Sequence, residues 1–100
     1  MAYIGKVEIK DEWEKLEDLI KLQVEGQSSF AFDSDTKYVL QSESSFGARF
    51  CEASTAPSDK NEGFCITETQ SAHYKPSTDD LYVKTKHGAS GLLKIGILGE

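Results

Sequence analysis

The sequence has few of the residues that mark several common protein classes. Its 100 residues include two prolines, two cysteines and one arginine, and the longest uninterrupted apolar stretches are only a few residues long. A helix that spans a membrane needs about 20 apolar residues, so none is expected. The start, MAYIGKVEIKDEW, lacks the apolar core of a signal peptide, and we therefore expect no export by that route.

Positive charge is also scarce. Acidic residues outnumber basic ones by 17 to 11, which gives a formal net charge of -6, and the lysines are spread among carboxylates. Proteins that bind nucleic acid, or an anionic membrane surface, present clustered lysine and arginine. We therefore expect neither nucleic acid nor membrane as a partner. The excess of negative charge is typical of a soluble surface.

The composition is that of one globular domain over residues 1–100. Apolar residues make up 38% and charged residues 28% of the chain. A domain of this size has room for one modest core. No repeat, low-complexity tract or linker divides it.

The two cysteines leave two alternatives. Cys51 and Cys65 flank a predicted hairpin and could form a disulfide or remain free, and without an export signal the reducing cytosol favours free thiols. With His73 and His87 they could in principle assemble a zinc site. The cysteines and histidines are not paired at the short spacing of about two to four residues that is typical of such sites. No metal or cofactor is therefore expected.

One segment has helical periodicity. The stretch DEWEKLEDLIKL places Trp13, Leu16, Leu19 and Ile20 on one side, which predicts a helix over about 11–22. Asp11 is the expected N-cap, in a start that resembles a capping box with Glu14. We favour a core anchor as the role of Trp13 and keep a platform for stacking a ligand as the alternative.

The remaining sequence has the alternation of β-strands. Strands are predicted over 3–9, 28–32, 37–42, 47–53, 64–70, 81–85 and 92–98. The last two are expected to form a hairpin across the turn at 87–91, and 71–80 is expected to be a loop. This spacing predicts a mainly β fold, an antiparallel β-sandwich or open barrel of about six or seven strands, with one short N-terminal helix. A parallel α/β sheet is excluded because crossover helices are missing.

No motif points to catalysis. The chain has no nucleophile elbow, no P-loop lysine and no EF-hand spacing, so we expect no enzyme and name no catalytic residue. The aromatic residues are better candidates for contacts with other molecules. Tyr74, in a predicted loop, and Trp13 are the candidates for contacting a ligand. A shallow aromatic platform of this kind favours a monomeric module that binds carbohydrate or protein.

The last strand suggests a subunit interface. Leu93, Ile95 and Ile97 share one face, whereas the other face is only half polar. This second face could be partly buried within the domain, or it could contact a partner. We name Leu92 and Leu98, together with Tyr82, as interface candidates.

The order of several segments resembles small accessory proteins of tailed-bacteriophage and prophage virions, such as head-fibre or tail-adaptor proteins. The matching pieces are Trp13 with Leu16, YVLQ at 38–41, GFCI at 63–66 and LYVKTKHGASGLLKIGI at 81–97. The resemblance implies a non-enzymatic β-sandwich that decorates, joins or adapts a capsid or tail, often as a trimer. Its expected partners are further copies of itself and other virion proteins. It would occupy the host cytoplasm during assembly and then the virion.

Overall fold

A computed structural model of the chain describes residues 2–43, 47–59, 62–67, 70–86 and 90–99. Within these residues, eight strands and one helix form. In chain order the elements are β1 (Ala2–Ile9), β2 (Glu14–Lys15), α1 (Leu16–Gln23), β3 (Lys37–Ser42), β4 (Ala48–Ala53), β5 (Phe64–Ile66), β6 (Ser71–Tyr74), β7 (Asp80–Thr85) and β8 (Gly91–Gly99).

The strands form two four-stranded sheets. Sheet A has the order β1-β8-β3-β6, and sheet B has the order β2-β7-β4-β5. Every pairing is antiparallel. The prediction of a mainly β, antiparallel fold with one short helix near the N-terminus is therefore confirmed, and the two separate sheets correspond to the sandwich.

The core lies between the two sheets, and alternation along the strands explains it. In β3, Tyr38 and Leu40 are buried while Val39 between them is partly exposed. In β8, Leu93 and Ile95 are fully buried. The helix α1 adds Leu16, Leu19 and Ile20 to the same cluster, as their spacing predicts. Sheet and helix therefore bury one apolar face each, as a two-layer domain requires.

The predicted hairpin between the last two strands is wrong. β7 lies in sheet B between β2 and β4, whereas β8 lies in sheet A between β1 and β3. The residues from Leu81 to Thr85 are all buried, so β7 has the character of a central strand in its own sheet. The chain therefore crosses from one sheet to the other between them. Most of the predicted turn, at 87–89, lies outside the described residues.

The predicted start of the helix is also wrong. Glu14 and Lys15 pair with β7, so α1 begins at Leu16, and Lys15 occupies the N-cap position without a side-chain capping hydrogen bond. Asp11 is not the N-cap. Its carboxylate instead lies 2.8 Å from the Lys84 ammonium group, which needs an anion because its side chain is only 2% exposed.

Two further segments differ from prediction. Residues 28–32 form no strand. Instead Phe30 and Phe32 lie outside the sheets, and their rings pack edge to face with their centres 5.0 Å apart. The centre of the Phe32 ring is also 4.9 Å from that of Tyr38. In contrast, the predicted loop at 71–80 begins with β6, which pairs with β3. Short strands of this kind are set by pairing partners more than by their own sequence.

Candidate interaction surfaces

The outer face of sheet A carries exposed apolar groups on two neighbouring strands, β1 and β8. Leu92, on the central strand β8, is 42% exposed, and Tyr3 on β1 is 60% exposed. Leu98, near the end of β8, is half-buried. Two of the three predicted interface residues therefore lie on one strand, and Tyr3 adds an aromatic ring that the sequence analysis did not select.

An ion cluster lies on the same face. The Lys6 ammonium group is 3.1 Å from one oxygen of the Glu43 carboxylate, and the Lys94 ammonium group is 3.3 Å from the other. The hydrogen bond with Lys6 holds the pKa of Glu43 below its ordinary value, and the same contact raises the pKa of Lys6. The face thus presents both signs of charge beside its apolar groups.

A shallow depression of about 540 Å³ occupies the middle of this face. Its floor is Gly96, which has no side chain and is directly opposite both Tyr3 and Val39 in the neighbouring strands. The Lys94 ammonium group lies 5.9 Å from the centre of the Tyr3 ring. The polar side chains of Gln41 and Ser71 line the far side. An aromatic ring beside polar groups is an arrangement that suits a sugar ring.

The outer face of sheet B is covered around Lys84. The Lys84 ammonium group, besides contacting Asp11, donates a hydrogen bond to the Thr85 carbonyl at 2.7 Å and lies 6.0 Å from the centre of the Trp13 ring. Trp13 is half-buried, and its indole N–H donates to the Asp59 carbonyl at 2.9 Å. Trp13 is therefore neither inside the core cluster nor a free stacking platform. Tyr82 is 9% exposed and has little surface to offer a partner.

The expectation that Tyr74 is an exposed loop residue is wrong. Tyr74 ends β6, pairs with Tyr38 across the ladder and is 8% exposed. Its ring lies 5.2 Å from that of Phe32. Burial raises the pKa of its hydroxyl well above the ordinary value, and the nearby carboxylate of Glu52 adds to that rise. Its hydroxyl therefore stays protonated, and Tyr74 belongs to the core.

A groove opens between the two sheets on the side where β5 and β6 are the outermost strands. We call it the edge groove, and its volume is about 470 Å³. It is lined by Leu40, Phe50, Cys51, Glu52, Gly63, Phe64, Ala72, His73, Tyr74 and Leu81. Phe64 lies directly opposite the buried Phe50, on the core side of sheet B, and yet is 82% exposed.

The sequence contained part of the signal for this groove. The alternation in FCITETQ places Phe64 and Ile66 on one face, and in the structure Ile66 is buried. Alternation says which face a residue occupies, but it does not say how far the opposite sheet extends. The exposure of Phe64 follows from the width of sheet A and was not predictable from its own strand.

Both cysteines are free thiols, and they do not face each other. Cys65 pairs with Arg49, whereas Cys51 lies two residues further along β4 and is half-buried. Burial raises the pKa of the Cys51 thiol, and the negative charges of Glu62 and Glu52 raise it further. Among the described residues, no three histidine, cysteine or acidic side chains are arranged to hold a metal ion. His87 lies outside those residues.

The comparisons with known proteins do not identify the chain. No protein-family model, no curated protein and no solved structure matches it significantly. In the described part of the chain, no helix has the length and apolar character that crossing a membrane requires.

Proposed function

We propose that this chain is a non-enzymatic structural protein of a phage or prophage particle, where it decorates, joins or adapts a capsid or tail through protein–protein contacts. The resemblance of segments 38–41, 63–66 and 81–97 to virion accessory proteins supports the proposal. The structural observation that carries it is the exposure, on the outer face of sheet A, of Leu92 on the central strand β8 and of Tyr3 on the edge strand β1.

This face suits contact with another copy of the chain. Face-to-face packing of sheets brings them to about 10 Å and removes their apolar side chains from water. Leu92 and Tyr3 supply apolar area, while Lys6, Glu43 and Lys94 supply charges of both signs that can pair across a symmetric contact. The chain would associate with itself in the host cytoplasm and then join other proteins of the virion.

Absolute mass in solution, by light scattering behind a sizing column at two concentrations, tests the proposal. We expect a closed oligomer for the unaltered protein and dispersal of that oligomer by Leu92→Glu, because burying an unpaired carboxylate in the contact is costly. Leu22→Glu is the matched control, since Leu22 is 83% exposed and belongs to α1, outside sheet A. A monomer at both concentrations, or an unchanged mass for Leu92→Glu, would contradict the interface.

A second candidate function is carbohydrate binding, favoured by the depression beside Tyr3. The exposed ring and the polar groups of Gln41, Ser71 and Lys94 around a glycine floor could hold one sugar. A screen on immobilised glycans tests it. Tyr3→Ala should abolish binding, whereas Phe64→Ala, which removes another exposed aromatic ring, on sheet B, should leave it unchanged. Glycan binding that survives Tyr3→Ala would exclude this depression as the site.

A further inference from the structure

The edge groove exposes a side chain that the fold places on its core side. Phe64 and Phe50 are paired across β5 and β4, so their side chains point toward sheet A. Phe50 is 6% exposed and Phe64 is 82% exposed. The difference arises because sheet A ends at β6, and in the described residues no further strand of sheet A covers β5.

Main-chain edges border this groove. β6 pairs with β3 on one side, and β5 pairs with β4 on one side. Each is the terminal strand of its sheet among the described residues. A strand edge of this kind offers its amide and carbonyl groups to an extended segment of another chain. A strand added beside β6 would extend sheet A across Phe64.

The charge at the groove indicates the nature of the occupant. Glu52 lines the groove, and the negative charge of Glu62 lies close enough to the lining residue Cys51 to raise the pKa of that thiol. The described lining residues include no lysine or arginine. A second copy of this chain, with its net charge of -6, would bring more negative charge to the acidic rim. Charge complementarity therefore favours a basic segment from a different protein.

We propose that the edge groove binds an extended, basic segment of another protein, which pairs with β6, places alternating apolar side chains between the sheets and presents lysine or arginine to Glu52 and Glu62. This site goes beyond the self-contact proposed above and is independent of it. The apolar side chains of such a segment would cover Phe64 together with Leu40, Ala72 and Leu81.

Three synthetic peptides test the chemistry. The probe is acetyl-KKTVTVTVKK-amide, which alternates apolar residues between basic ends. One control replaces its lysines with glutamates, and the other replaces its central threonine with proline, which cannot complete a strand ladder. We expect the probe to bind in calorimetry and to slow hydrogen exchange of β6 amides, and we expect both controls to bind at least about tenfold more weakly, since charge and pairing each contribute.

Charge reversal on the protein locates the site. In a variant carrying Glu52→Lys and Glu62→Lys, binding of the basic probe should weaken about tenfold and binding of the glutamate peptide should strengthen, because both rim charges change sign. Both side chains are exposed, so the fold should tolerate the change. The control carries Glu12→Lys and Glu25→Lys, which alter net charge equally at exposed positions outside the groove lining, and it should bind like the unaltered protein.

Three results would overturn the proposal: no binding of the basic probe, equal binding of the proline control, or equal loss in the two charge-reversal variants. The titration is repeated on Leu92→Glu, which separates the two proposals. Loss of self-association with peptide binding intact leaves the groove standing, whereas loss of peptide binding alone removes the groove and leaves the self-contact.

Discussion

The sandwich has two edges at which its sheets end, and these two edges differ in structure. On the side of β1 and β2, the helix α1 inserts Leu16 and Ile20, both fully buried, and closes the gap. The Gln23 side-chain amide also donates to the Glu8 carbonyl and accepts from the Glu8 amide at 3.1 and 2.7 Å, which occupies the edge of β1. On the side of β5 and β6, the groove stays open and Phe64 is bare.

The difference shows that one edge of the sandwich contributes to stability by burying apolar side chains, whereas the other leaves apolar surface exposed. Closing the first side buries most of the apolar face of the helix, and each large side chain buried there contributes about 1.5–3 kcal/mol. The second side forgoes that contribution at Phe64. A domain of this size has little stability to spare, so an apolar side chain left bare at the core side is more simply explained by contact with a partner than by folding.

The largest expected effect distinguishes the two sides directly. Ile20→Ala should lower the free energy of unfolding by about 2–5 kcal/mol, because it leaves a cavity in the closed side. Phe64→Ala should change it by less than about 0.5 kcal/mol, because that ring is mostly in water already. Urea denaturation of both variants measures the contrast. Equal losses would mean that the groove is closed in solution.

A smaller effect tests how the open side is shaped. Gly63 has a φ of 85°, and a Cβ there would overlap the Phe50 carbonyl oxygen. Gly63→Ala should therefore cost roughly 2–3 kcal/mol and disturb the entry to β5. Gly26 has a φ of 82° with nothing within 4 Å of an added Cβ, so Gly26→Ala should cost only about 1–2 kcal/mol. Similar losses in urea denaturation would show that the close approach of the backbones is unimportant.

The hydrogen bonds between the Gln23 side chain and β1 should make a modest contribution to the free energy of unfolding. Gln23→Ala removes two hydrogen bonds to exposed backbone, which should lower the free energy of unfolding by about 1 kcal/mol. It should also speed hydrogen exchange at the Glu8 amide while leaving exchange on β6 unchanged. Unaltered exchange at Glu8 would show that water replaces the glutamine without cost.

The rates at which the two cysteines are chemically labelled test the structure of the open side and need no substitution. Cys65 is exposed, whereas the pKa of Cys51 is raised by burial and by Glu62 and Glu52, so less Cys51 thiolate forms at a given pH. Iodoacetamide at neutral pH should therefore label Cys65 first, and labelling of Cys51 should accelerate only at a pH above that typical of a free thiol. Mass spectrometry of the digested protein gives both rates. Equal rates at neutral pH would contradict the position of Cys51.

Sequence patterns predicted the strands better than their arrangement. Alternation located β1, β3, β4, β7 and β8, because the buried face of each strand repeats every second residue. It did not assign β7 and β8 to different sheets, since that depends on which strands flank each of them. The start of α1 was missed because pairing of Glu14 with Val83 outweighed local helical preference.

The candidate surfaces were predictable only in part. Leu92 was selected from the half-apolar face of its strand, and that residue is exposed on sheet A. Tyr74 was misplaced because its segment is rich in polar residues, although pairing with β3 buries its ring. Phe64 and Lys84 could not be found from their own segments. Their exposure and burial are set by the extent of sheet A and by the covering residues Asp11 and Trp13.

The central place of β8 in sheet A has a consequence for synthesis of the protein. β1 and β3 both pair with β8, which follows all the other described strands in the chain, so sheet A cannot be completed before β8 has been synthesised. Sheet B has all its strands available earlier. Completion of the fold therefore waits for residues 91–99, and until then β1 and β3 each have an unpaired edge of the kind that is prone to association.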